Sequence, residues 1–327
     1  MSINKKKYQH LFICYTPLHV LIAQKVIQIE AVQNFVLVFY YQNNTEKTKF
    51  YFNKIAQMAD EVFYIQKINS PFYTLKTILS IAYKLNALLI KNPNVYVGNI
   101  KTIYSRLLIF LVGAKKINSF DDGMGNVCGE GYFYDDIKPT LKTQFLSLIG
   151  LDFSYSKIYS KIKKHYTIYT TPNVMPNCYH INLFEFKDID KVIRENSKTT
   201  VLLVSTLQEE NLFPLQQEIN LYQYLIDTFE VKYAIPHPLS KHERIFDPNV
   251  TIIKSDLIAE EIIMELKNKY KHIKLIGIYS STLIHLANVD GIECINFELD
   301  YNVNLDVTKQ FFKDNNIKSF HSNVKFI

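Results

Sequence analysis

The chain has 327 residues, of which 48% are hydrophobic and 21% are charged, and its formal net charge is +6. This length is enough for two domains of ordinary size, and the hydrophobic content excludes a wholly disordered chain. The basic excess is too small to indicate a nucleic-acid-binding protein, although it suits a membrane surface or an anionic substrate.

The four cysteines are scattered, with no CxxC pair, so they form no recognisable zinc or disulfide framework and favour a reducing compartment. Residues 1–24 begin with lysines and an apolar stretch, as a signal peptide does. Tyr15, Thr16 and Pro17 interrupt that stretch, however, and no cleavage site of small residues follows. No window reaches the roughly 18 apolar residues of a membrane span, which predicts a cytoplasmic protein.

Short apolar runs alternate with helical patterns in the first half of the chain. The runs that predict strands are HLFICY (10–15), NFVLVFYY (34–41), EVFYI (61–65), NVYVG (94–98) and KKINSF (115–120). Helices are predicted near 17–31, 71–91 and 102–112. Strands that are apolar on both faces indicate a parallel sheet covered by helices.

This rhythm is interrupted between about 123 and 195, where a helix is predicted near 138–149, and it then resumes. The later strands are TTVLLVS (199–205), VKYAI (231–235), VTII (250–253), KLIGIY (274–279) and ECINF (293–297), with helices near 214–228, 258–270 and 281–289. The pattern predicts an α/β protein with two doubly wound, Rossmann-like domains, at 1–165 and 195–327, joined by 166–194. The carboxyl ends of their strands are expected to face a shared cleft.

The first polar cluster is SFDDGMGNVCGEG (119–131), which follows the strand KKINSF. Asp121 and Asp122 could ligate magnesium or act as a base, or could form an ordinary Asp-Gly turn. Four of the nine glycines of the chain lie in residues 123–131. Because glycine permits close approach of the backbone to a ligand, that concentration favours a functional loop.

A histidine between two prolines ends the strand VKYAI, in the sequence IPHP (235–238). Proline restricts its own backbone and pushes the residue before it towards extended geometry, so Pro238 restrains His237. A rigidly held imidazole at a strand end suits a group that meets a reacting atom, and it equally suits an ordinary turn.

A run of hydroxyls, Ser280, Ser281 and Thr282, begins the helix after KLIGIY. Such hydroxyls cap free helical N–H groups. The same geometry, with the positive end of the helix dipole, makes a phosphate site.

Two pairs of glutamates follow other strands. Glu209 and Glu210 could be charges at a helix start or could supply a carboxylate to the cleft, and one of Glu260 and Glu261 could bind a ribose hydroxyl. The pair Asp135-Asp136 precedes a helix, which favours capping over metal binding.

Together these clusters resemble the bacterial lipooligosaccharide sialyltransferases of glycosyltransferase family 52. The resemblance rests on CYTPLHVLIA (14–23), FDDG (120–123), the His237-Pro238 pair and YSST (279–282), and it extends over residues 10–300. Bacterial sialyltransferases share an acidic-acidic-Gly motif, an HP motif and a later Ser pair, in this order. The resemblance implies a GT-B fold, which agrees with the two domains predicted from periodicity.

The resemblance also implies a mechanism. His237 would be the general acid that protonates the departing phosphate of CMP-sialic acid, and Ser280 and Ser281 would hold the same phosphate. A carboxylate would take the proton from the acceptor hydroxyl, and the anomeric centre would invert. If these groups stabilise the leaving phosphate, no metal and no cofactor is needed.

The identity of the base is left open by the resemblance. The acidic-acidic-Gly motif favours Asp122 or Asp121, whereas family 52 could instead use a carboxylate upstream of the HP motif, where Glu210 and Glu209 lie. Asp122 is our choice, with Glu210 as its rival.

The remaining site residues are placed by position in the chain. Pro238, Thr282, Glu261 and Glu260 are expected on the donor side, with Glu261 preferred for the cytidine ribose. Thr16, Pro17 and Gly123 are expected on the acceptor side.

The predicted function is an inverting transfer of sialic acid from CMP-sialic acid to a terminal galactoside of lipooligosaccharide, with an α-2,3 linkage as the common outcome in the family. The alternatives are a GT-B enzyme that uses another sugar nucleotide, such as a UDP-hexose, and a non-catalytic protein that binds a nucleotide sugar or a glycan. A glycolipid acceptor would place the protein at the inner face of the inner membrane, where the N-terminal lysines and the basic segment 157–165 could contact anionic lipid. The family also allows a homodimer.

Overall fold

The structure is a computed structural model that describes residues 7–41, 45–66, 71–127, 153–184, 195–245, 247–299 and 306–321. It divides into two compact units, Met1–Leu183 and Phe184–Ile327. The predicted helix near 138–149, Asp135-Asp136 and the last glycines of the Gly-rich loop lie outside the described residues.

The first unit, within the described residues, is built on a seven-stranded sheet with the order β3-β2-β1-β4-β5-β6-β7. Its strands are β1 (Tyr8–Cys14), β2 (Phe35–Tyr41), β3 (Glu61–Gln66), β4 (Leu89–Val97), β5 (Lys116–Phe120), β6 (Ile162–Thr167) and β7 (Cys178–His180). The neighbouring strands pair in parallel. Residues on both faces of β2 are buried, as in a parallel sheet covered by helices.

Helices connect these strands and cover the sheet. They are α1 (Pro17–Ile29), α2 (Glu46–Ala56), α3 (Pro71–Leu88), α4 (Ile103–Leu111) and α5 (Tyr155–Tyr159), with a short 3₁₀ helix at Gly123–Asn126. Pro17 occupies the first turn of α1, where its missing N–H costs nothing, and the Thr16 hydroxyl caps the helix by accepting a hydrogen bond from the His19 N–H. Ile78 and Leu85 of α3 pack with Leu11 and Val95 of the sheet in one buried core.

The second unit has, in its described residues, a six-stranded parallel sheet with the order β10-β9-β8-β11-β12-β13. The strands are β8 (Glu195–Val204), β9 (Tyr233–Pro236), β10 (Thr251–Ile252), β11 (Tyr270–Gly277), β12 (Ile292–Glu298) and β13 (Lys318–His321). The helices are α6 (Leu215–Phe229), α7 (Ala259–Lys269), α8 (Ser281–Leu286) and α9 (Asp306–Asp314).

Both sheets reverse their direction of growth at the middle, between β1 and β4 in the first unit and between β8 and β11 in the second. In doubly wound sheets, ligands bind outside the carboxyl ends of the strands at this switch point. The loops after β1, β4 and β5, and those after β8, β9 and β11, are therefore the places to look for a site.

The first unit extends further along the chain than the sequence predicted. The prediction ended this domain at residue 165 and assigned 166–194 to a connection, but β6 continues to Thr167 and β7 (Cys178–His180) adds another strand to the same sheet. β6 reads IKKHYT and β7 is exposed at each of its residues, so neither has the apolar run by which the other strands were predicted.

Candidate active site

Asp121 and Asp122 follow β5 directly, but they have opposite environments. Asp121 is 0% exposed, and its carboxylate accepts hydrogen bonds from Asn126 Nδ2 at 2.7 Å, His165 Nε2 at 2.9 Å and the Ile168 N–H at 2.7 Å. These donors join the 3₁₀ helix, β6 and the segment after β6. A buried carboxylate that accepts hydrogen bonds from three separate segments has a structural role, because it links those segments.

Asp122 has a side chain that is 22% exposed. Its Oδ1 lies 2.9 Å from His19 Nε2, and its Oδ2 accepts a short hydrogen bond from Asn99 Nδ2. Asp122 is the N-cap of the 3₁₀ helix, yet its side chain makes no capping hydrogen bond. The carboxylate is therefore directed to His19 and Asn99 and still reaches solvent.

Of the three residues expected on the acceptor side, Thr16 and Pro17 lie at the start of α1, the helix that carries His19, and Gly123 follows Asp122 directly. Thr16 caps α1, so its hydroxyl has a structural partner in the His19 N–H, and Pro17 is the first residue of that helix. Gly123 has φ +68 and no atom within 4 Å of the position of a Cβ. Its left-handed backbone lets the chain turn sharply after Asp122.

His237 follows β9, whose last residue is Pro236, and both His237 and Pro238 are exposed. The Leu239 N–H donates to His237 Nδ1 at 3.3 Å, and the Ser240 N–H donates to the His237 carbonyl at 3.0 Å. Because Nδ1 accepts a hydrogen bond, the proton of the neutral imidazole belongs on Nε2. The turn thus presents a histidine in the tautomer that an Nε2–H donor requires.

The carboxylate of Glu209 is bound by residues of the loop that carries His237. Its Oε1 accepts from the Lys241 N–H at 2.8 Å, and its Oε2 pairs closely with Arg244. Burial opposes ionisation of Glu209, but the hydrogen bond from Lys241 and the charge of Arg244 outweigh burial and lower the pKa of this carboxyl. Glu210 is exposed and accepts one hydrogen bond, from Thr206 Oγ1 at 3.0 Å.

Arg244 forms the centre of this network, which the sequence did not indicate. Its side chain is 1% exposed and its Nε lies 2.8 Å from Oε2 of the buried Glu218 in α6. Its Nη1 also donates to Ser240 Oγ at 2.5 Å and to the His242 carbonyl at 2.7 Å. A buried guanidinium between two carboxylates thus ties the loop after β9 to α6.

The hydroxyl cluster follows β11, which ends at Gly277 rather than at Tyr279. Tyr279 has φ 47, and its N–H donates to Oδ1 of the buried Asn296 at 2.8 Å. Ser280 is the N-cap of α8, yet its side chain makes no capping hydrogen bond. Helix α8 has only six residues, so its dipole contributes less to an anion site than the sequence suggested. The groups that could still bind an anion there are the hydroxyls and the backbone amides of the turn.

Thr282 and Glu260 bind each other rather than facing outward. Glu260 Oε1 accepts from Thr282 Oγ1 at 3.1 Å and from His285 Nδ1 at 2.7 Å. Burial raises the pKa of Glu260, but the hydrogen bond and charge of His285 outweigh it, and the net shift is downward. Glu261 is the half-buried neighbour of Glu260 in the first turn of α7.

Within the described residues, no helix is long and apolar enough to cross a membrane. In the same part of the chain, no three side chains of His, Cys, Asp or Glu come together as a metal ion would require.

Solved structures with little sequence similarity share this architecture. The spinosyn rhamnosyltransferase SpnG complexed with thymidine diphosphate matches with a TM-score of 0.60 and 10% identity, over 95% of this chain and 86% of that one. A UDP-N-acetylglucosamine 2-epimerase matches with a TM-score of 0.50 and 10% identity, over 93% and 82% of the two chains. The fold is therefore the predicted GT-B arrangement of two parallel α/β units.

Sequence relatives are more specific. A Pasteurella multocida CMP-N-acetylneuraminate:beta-galactoside alpha-2,3-sialyltransferase is 28% identical over 89% of this chain and 92% of that protein. A Haemophilus influenzae N-acetyllactosaminide alpha-2,3-sialyltransferase is 27% identical over 87% and 90% of the two chains. The model of the family described as glycosyltransferase family 52 matches residues 32–299. The chain belongs to glycosyltransferase family 52.

Proposed function

We propose that this protein transfers sialic acid from CMP-sialic acid to a terminal galactoside of a lipooligosaccharide, forms an α-2,3 linkage and inverts the anomeric centre. The names of the Pasteurella and Haemophilus relatives support the donor, the galactoside and the linkage. The observation that carries the proposal is the pair of strand-end groups described above. Asp122 is a partly exposed carboxylate that accepts a hydrogen bond from Asn99 and lies 2.9 Å from His19, and His237 is an exposed imidazole with its proton on Nε2.

His237 is the general acid in this proposal. As the bond between sialic acid and phosphate breaks, negative charge develops on the phosphate oxygen, and Nε2–H donates to that oxygen. The Leu239 N–H holds the ring by Nδ1, so the donating nitrogen is set before the donor binds. Pro238 restrains the backbone of His237 in the same turn.

Ser280 and Ser281 hold the donor phosphate with their hydroxyls and with the amides of the turn that opens α8. Ser280 supports this role because its side chain makes no capping hydrogen bond to the helix. In this proposal Thr282 supports Glu260 by a hydrogen bond and is not assigned to the donor phosphate. Glu261 is the group proposed for the cytidine ribose, since the carboxylate of Glu260 is used by Thr282 and His285.

Asp122 is the proposed base that accepts the proton of the galactoside hydroxyl. Asp121 is unsuited because it is buried and bonded to three elements, and Glu209 is unsuited because it pairs with Arg244. Glu210 remains the rival, since it is exposed. Asp122→Asn should lower kcat by about two to four orders of magnitude, the usual range for acid–base groups, whereas Glu210→Gln should leave kcat near wild type.

The proposed reaction needs no metal. His237 and the two serine hydroxyls neutralise the charge that develops on the departing phosphate, which is the work that a metal ion does in other nucleotide-sugar enzymes. Transfer should therefore continue in EDTA.

Contact with a membrane would bring the enzyme to a glycolipid acceptor, and we place that contact on the outer face of α3. Four large apolar or aromatic side chains of this helix are exposed, namely Tyr73 (53%), Leu75 (40%), Leu79 (47%) and Tyr83 (81%). The helix also carries Lys76 and Lys84 and no acidic residue. Aromatic and apolar groups with lysines suit an anionic lipid surface.

The basic segment 157–165 is less suited to lipid than the sequence suggested. Lys164 pairs with Glu30 at 2.8 Å, and His165 is buried against Asp121.

Sedimentation with anionic vesicles tests the lipid contact proposed for α3. Wild type should sediment with the vesicles and Tyr83→Glu should not. The control Gln216→Glu, on α6, should sediment as wild type does. Equal sedimentation of all three would exclude α3, and absence of sedimentation for wild type would exclude a lipid contact.

The donor is tested by incubating the purified protein in EDTA with lactose and either CMP-sialic acid or a panel of UDP-sugars. Mass spectrometry should find sialyl-lactose only with CMP-sialic acid, and His237→Ala should lower kcat by about two to four orders of magnitude. Product from a UDP-sugar would favour the alternative donor. Binding of CMP without turnover would favour the non-catalytic alternative. Light scattering of the same sample tests the homodimer that the family allows.

A further inference from the structure

The turn after β11 contains a residue in a backbone conformation that is unusual for its side chain. Tyr279 has φ 47, in the left-handed region, and carries a large aromatic ring. For a bulky residue this conformation is unfavourable and persists only where the surrounding structure enforces it. A Cβ on Gly277 would lie 3.3 Å from the Cβ of Ser280, so the chain folds back on the end of its own strand. Tyr279 is therefore part of a tight reversal that leads into Ser280 and Ser281.

The peptide group between Ile278 and Tyr279 is held from both sides by neighbouring strands. Its N–H donates to Asn296 Oδ1 at 2.8 Å, and Asn296 lies in β12. Its carbonyl accepts from Ser205 Oγ at 3.4 Å, and Ser205 follows β8 directly. β11 lies between β8 and β12 in the sheet. Because the contact to Asn296 is much the shorter, this side chain has the larger share in fixing the plane of the peptide.

The Asn296 side chain is itself incompletely satisfied. Asn296 is 0% exposed, and its Nδ2 has no hydrogen-bond partner among the described residues. A backbone N–H donates to the other atom of the amide, so that atom is the oxygen and the unsatisfied group is the NH₂. A buried donor without an acceptor destabilises a protein, and a leucine of the same shape would avoid this cost. The hydrogen bond to Tyr279 is what a leucine could not make.

We infer that Asn296 is a positioning residue for the serine turn, an inference that rests on the proposed role of Ser280 and Ser281 in holding the donor phosphate. Oδ1 fixes the peptide plane and with it the left-handed Tyr279, the residue before Ser280. The Ser280 side chain makes no capping hydrogen bond to the helix, so the turn decides where its hydroxyl lies. An unfavourable backbone conformation beside an unsatisfied buried amide is expected at a functional site, where a cost in stability is tolerated.

The geometry of this turn matters for the reaction because donors that are fixed in advance stabilise a developing charge without having to reorganise. In the proposed reaction that charge develops on the departing phosphate. Loss of the Asn296 hydrogen bond would release the peptide plane and let the serine hydroxyls move away from the phosphate. The effect should therefore be confined to ligands that carry a phosphate.

The test is calorimetric binding of CMP and of cytidine, which differ only in the phosphate. Asn296→Leu should weaken CMP binding by about tenfold or more, which is the value of one hydrogen bond to a charged group. The affinity for cytidine should stay at the wild-type value. The kcat for transfer to lactose should fall by about 10²-fold, with the KM for lactose unchanged. Asn296→Ala makes the same test if the leucine variant does not fold.

Thr199→Val is the matched control. Thr199 lies in β8 and is buried, and its Oγ1 has no partner in the part of the chain that the structure describes. The substitution thus removes an unsatisfied polar group from the same sheet without removing a hydrogen bond to the turn. Its melting temperature should match or exceed that of wild type, and both affinities should be unchanged. A loss of CMP affinity as large as in Asn296→Leu would assign the effect to core packing and overturn the inference.

The remaining outcomes separate this inference from the proposed function. Equal losses of CMP and cytidine affinity in Asn296→Leu, or no loss of CMP affinity, would overturn the positioning role and leave the donor site standing. A wild-type protein that binds CMP no more tightly than cytidine would overturn the role of the serines and the inference with it.

Hydrogen exchange of the wild-type protein, followed by NMR, gives a readout independent of activity. The Tyr279 N–H should exchange slowly with solvent, because a buried side chain accepts its hydrogen bond. Rapid exchange of this amide would overturn the pairing with Asn296 even if the enzyme sialylates lactose.

Discussion

At the scale of single residues, the molecule uses one backbone turn to separate two adjacent carboxylates. The Asp121 N–H still donates to the Tyr166 carbonyl at 3.2 Å, so Asp121 continues the pairing of β5 with β6 and points into the fold. Asp122 has φ −114 and ψ 62, outside the strand conformation, and Gly123 then turns with φ +68. The change of backbone direction after Asp121 is what brings the second carboxylate to the surface.

Gly98 provides a residue-scale prediction. Gly98→Ala would place a Cβ 2.4 Å from His19 Nδ1, so the ring must shift from its present position, 2.9 Å from Asp122. We expect a loss of stability of about 1–3 kcal/mol from overpacking and a loss of kcat of about 10²-fold. Urea unfolding and kcat for transfer measure the two effects.

Gly113→Ala is the control for that substitution. Gly113 has φ +68 but no atom within 4 Å of a Cβ, so alanine there should cost stability by backbone strain alone. The account requires both variants to be less stable and only Gly98→Ala to lose kcat; an equal kcat in the two variants would contradict it.

Sequence patterns pointed to the candidate site but did not resolve its internal arrangement. The run FDDG identified both aspartates, yet nothing in it distinguishes the buried one from the open one. His19 lies among apolar residues of α1, where a histidine is indistinguishable from a core residue. Its partner is about 100 positions away in the chain, a separation that local periodicity does not bridge.

At the scale of elements, the loop after β9 depends on a buried charge rather than on apolar packing. Arg244 pairs with Glu218 of α6 and with Glu209, and it binds Ser240 and the backbone of His242. Loops are usually the least stable part of a fold, and this network is the means by which the His237 turn is kept in place.

Arg244→Met tests that network. The substitution leaves the carboxylate of Glu218 buried without its cation, which should cost about 3–5 kcal/mol of unfolding free energy. Because Ser240 and His242 lose their partner, kcat should fall as well. Lys254→Met, which breaks the exposed pair with Glu243, should change neither quantity. Equal stability of the two variants in urea would show that the Arg244 network does not support the loop.

Most strands were predictable because their side chains are apolar on both faces, and two of the elements that periodicity missed have different causes. Helix α2 reads EKTKFYFNKIA and buries only Thr48, Tyr51 and Ile55, so its apolar stripe is too narrow to identify. Strand β6 reads IKKHYT because its buried positions include His165, whose polarity is satisfied by Asp121. Long-range polar contacts thus conceal an element from a reading of hydrophobic periodicity.

At the scale of the whole molecule, both units have the same strand order, which grows outwards from the middle of the sheet. The alternation of strands and helices was enough to predict two doubly wound α/β domains. The boundary between the units was harder to predict. β7 is the edge strand of the sheet and β6 lies next to it, and both have few apolar residues, so periodicity did not show that the first unit continues to Leu183 rather than ending at residue 165.

Acid should weaken both units. The pKa of Glu30 is lowered by hydrogen bonds from Lys164 and Tyr166, and the pKa of Glu260 is lowered by His285 against the effect of burial. A carboxyl whose pKa is lower in the folded state stabilises the fold above its ordinary value of 4.5, and this contribution is lost as the pH falls through the lowered value.

The melting temperature should therefore be steady from neutral pH to about pH 5 and then fall steeply towards about pH 3. Glu260→Gln should be less stable at neutral pH and should lose less on acidification, because it has no proton to gain. A melting temperature that stays constant into the acid range would contradict this account of the two carboxylates.

The most direct measurement of the central claim is NMR of the transfer reaction as it proceeds, with CMP-sialic acid and lactose in EDTA. The account predicts sialyl-lactose in which the first product formed has the anomeric configuration opposite to that of the donor, with the galactose O3 position substituted. A product that retains the donor configuration would contradict the proposed single displacement with Asp122 as base and His237 as acid. So would CMP-sialic acid that binds to the protein but is never cleaved.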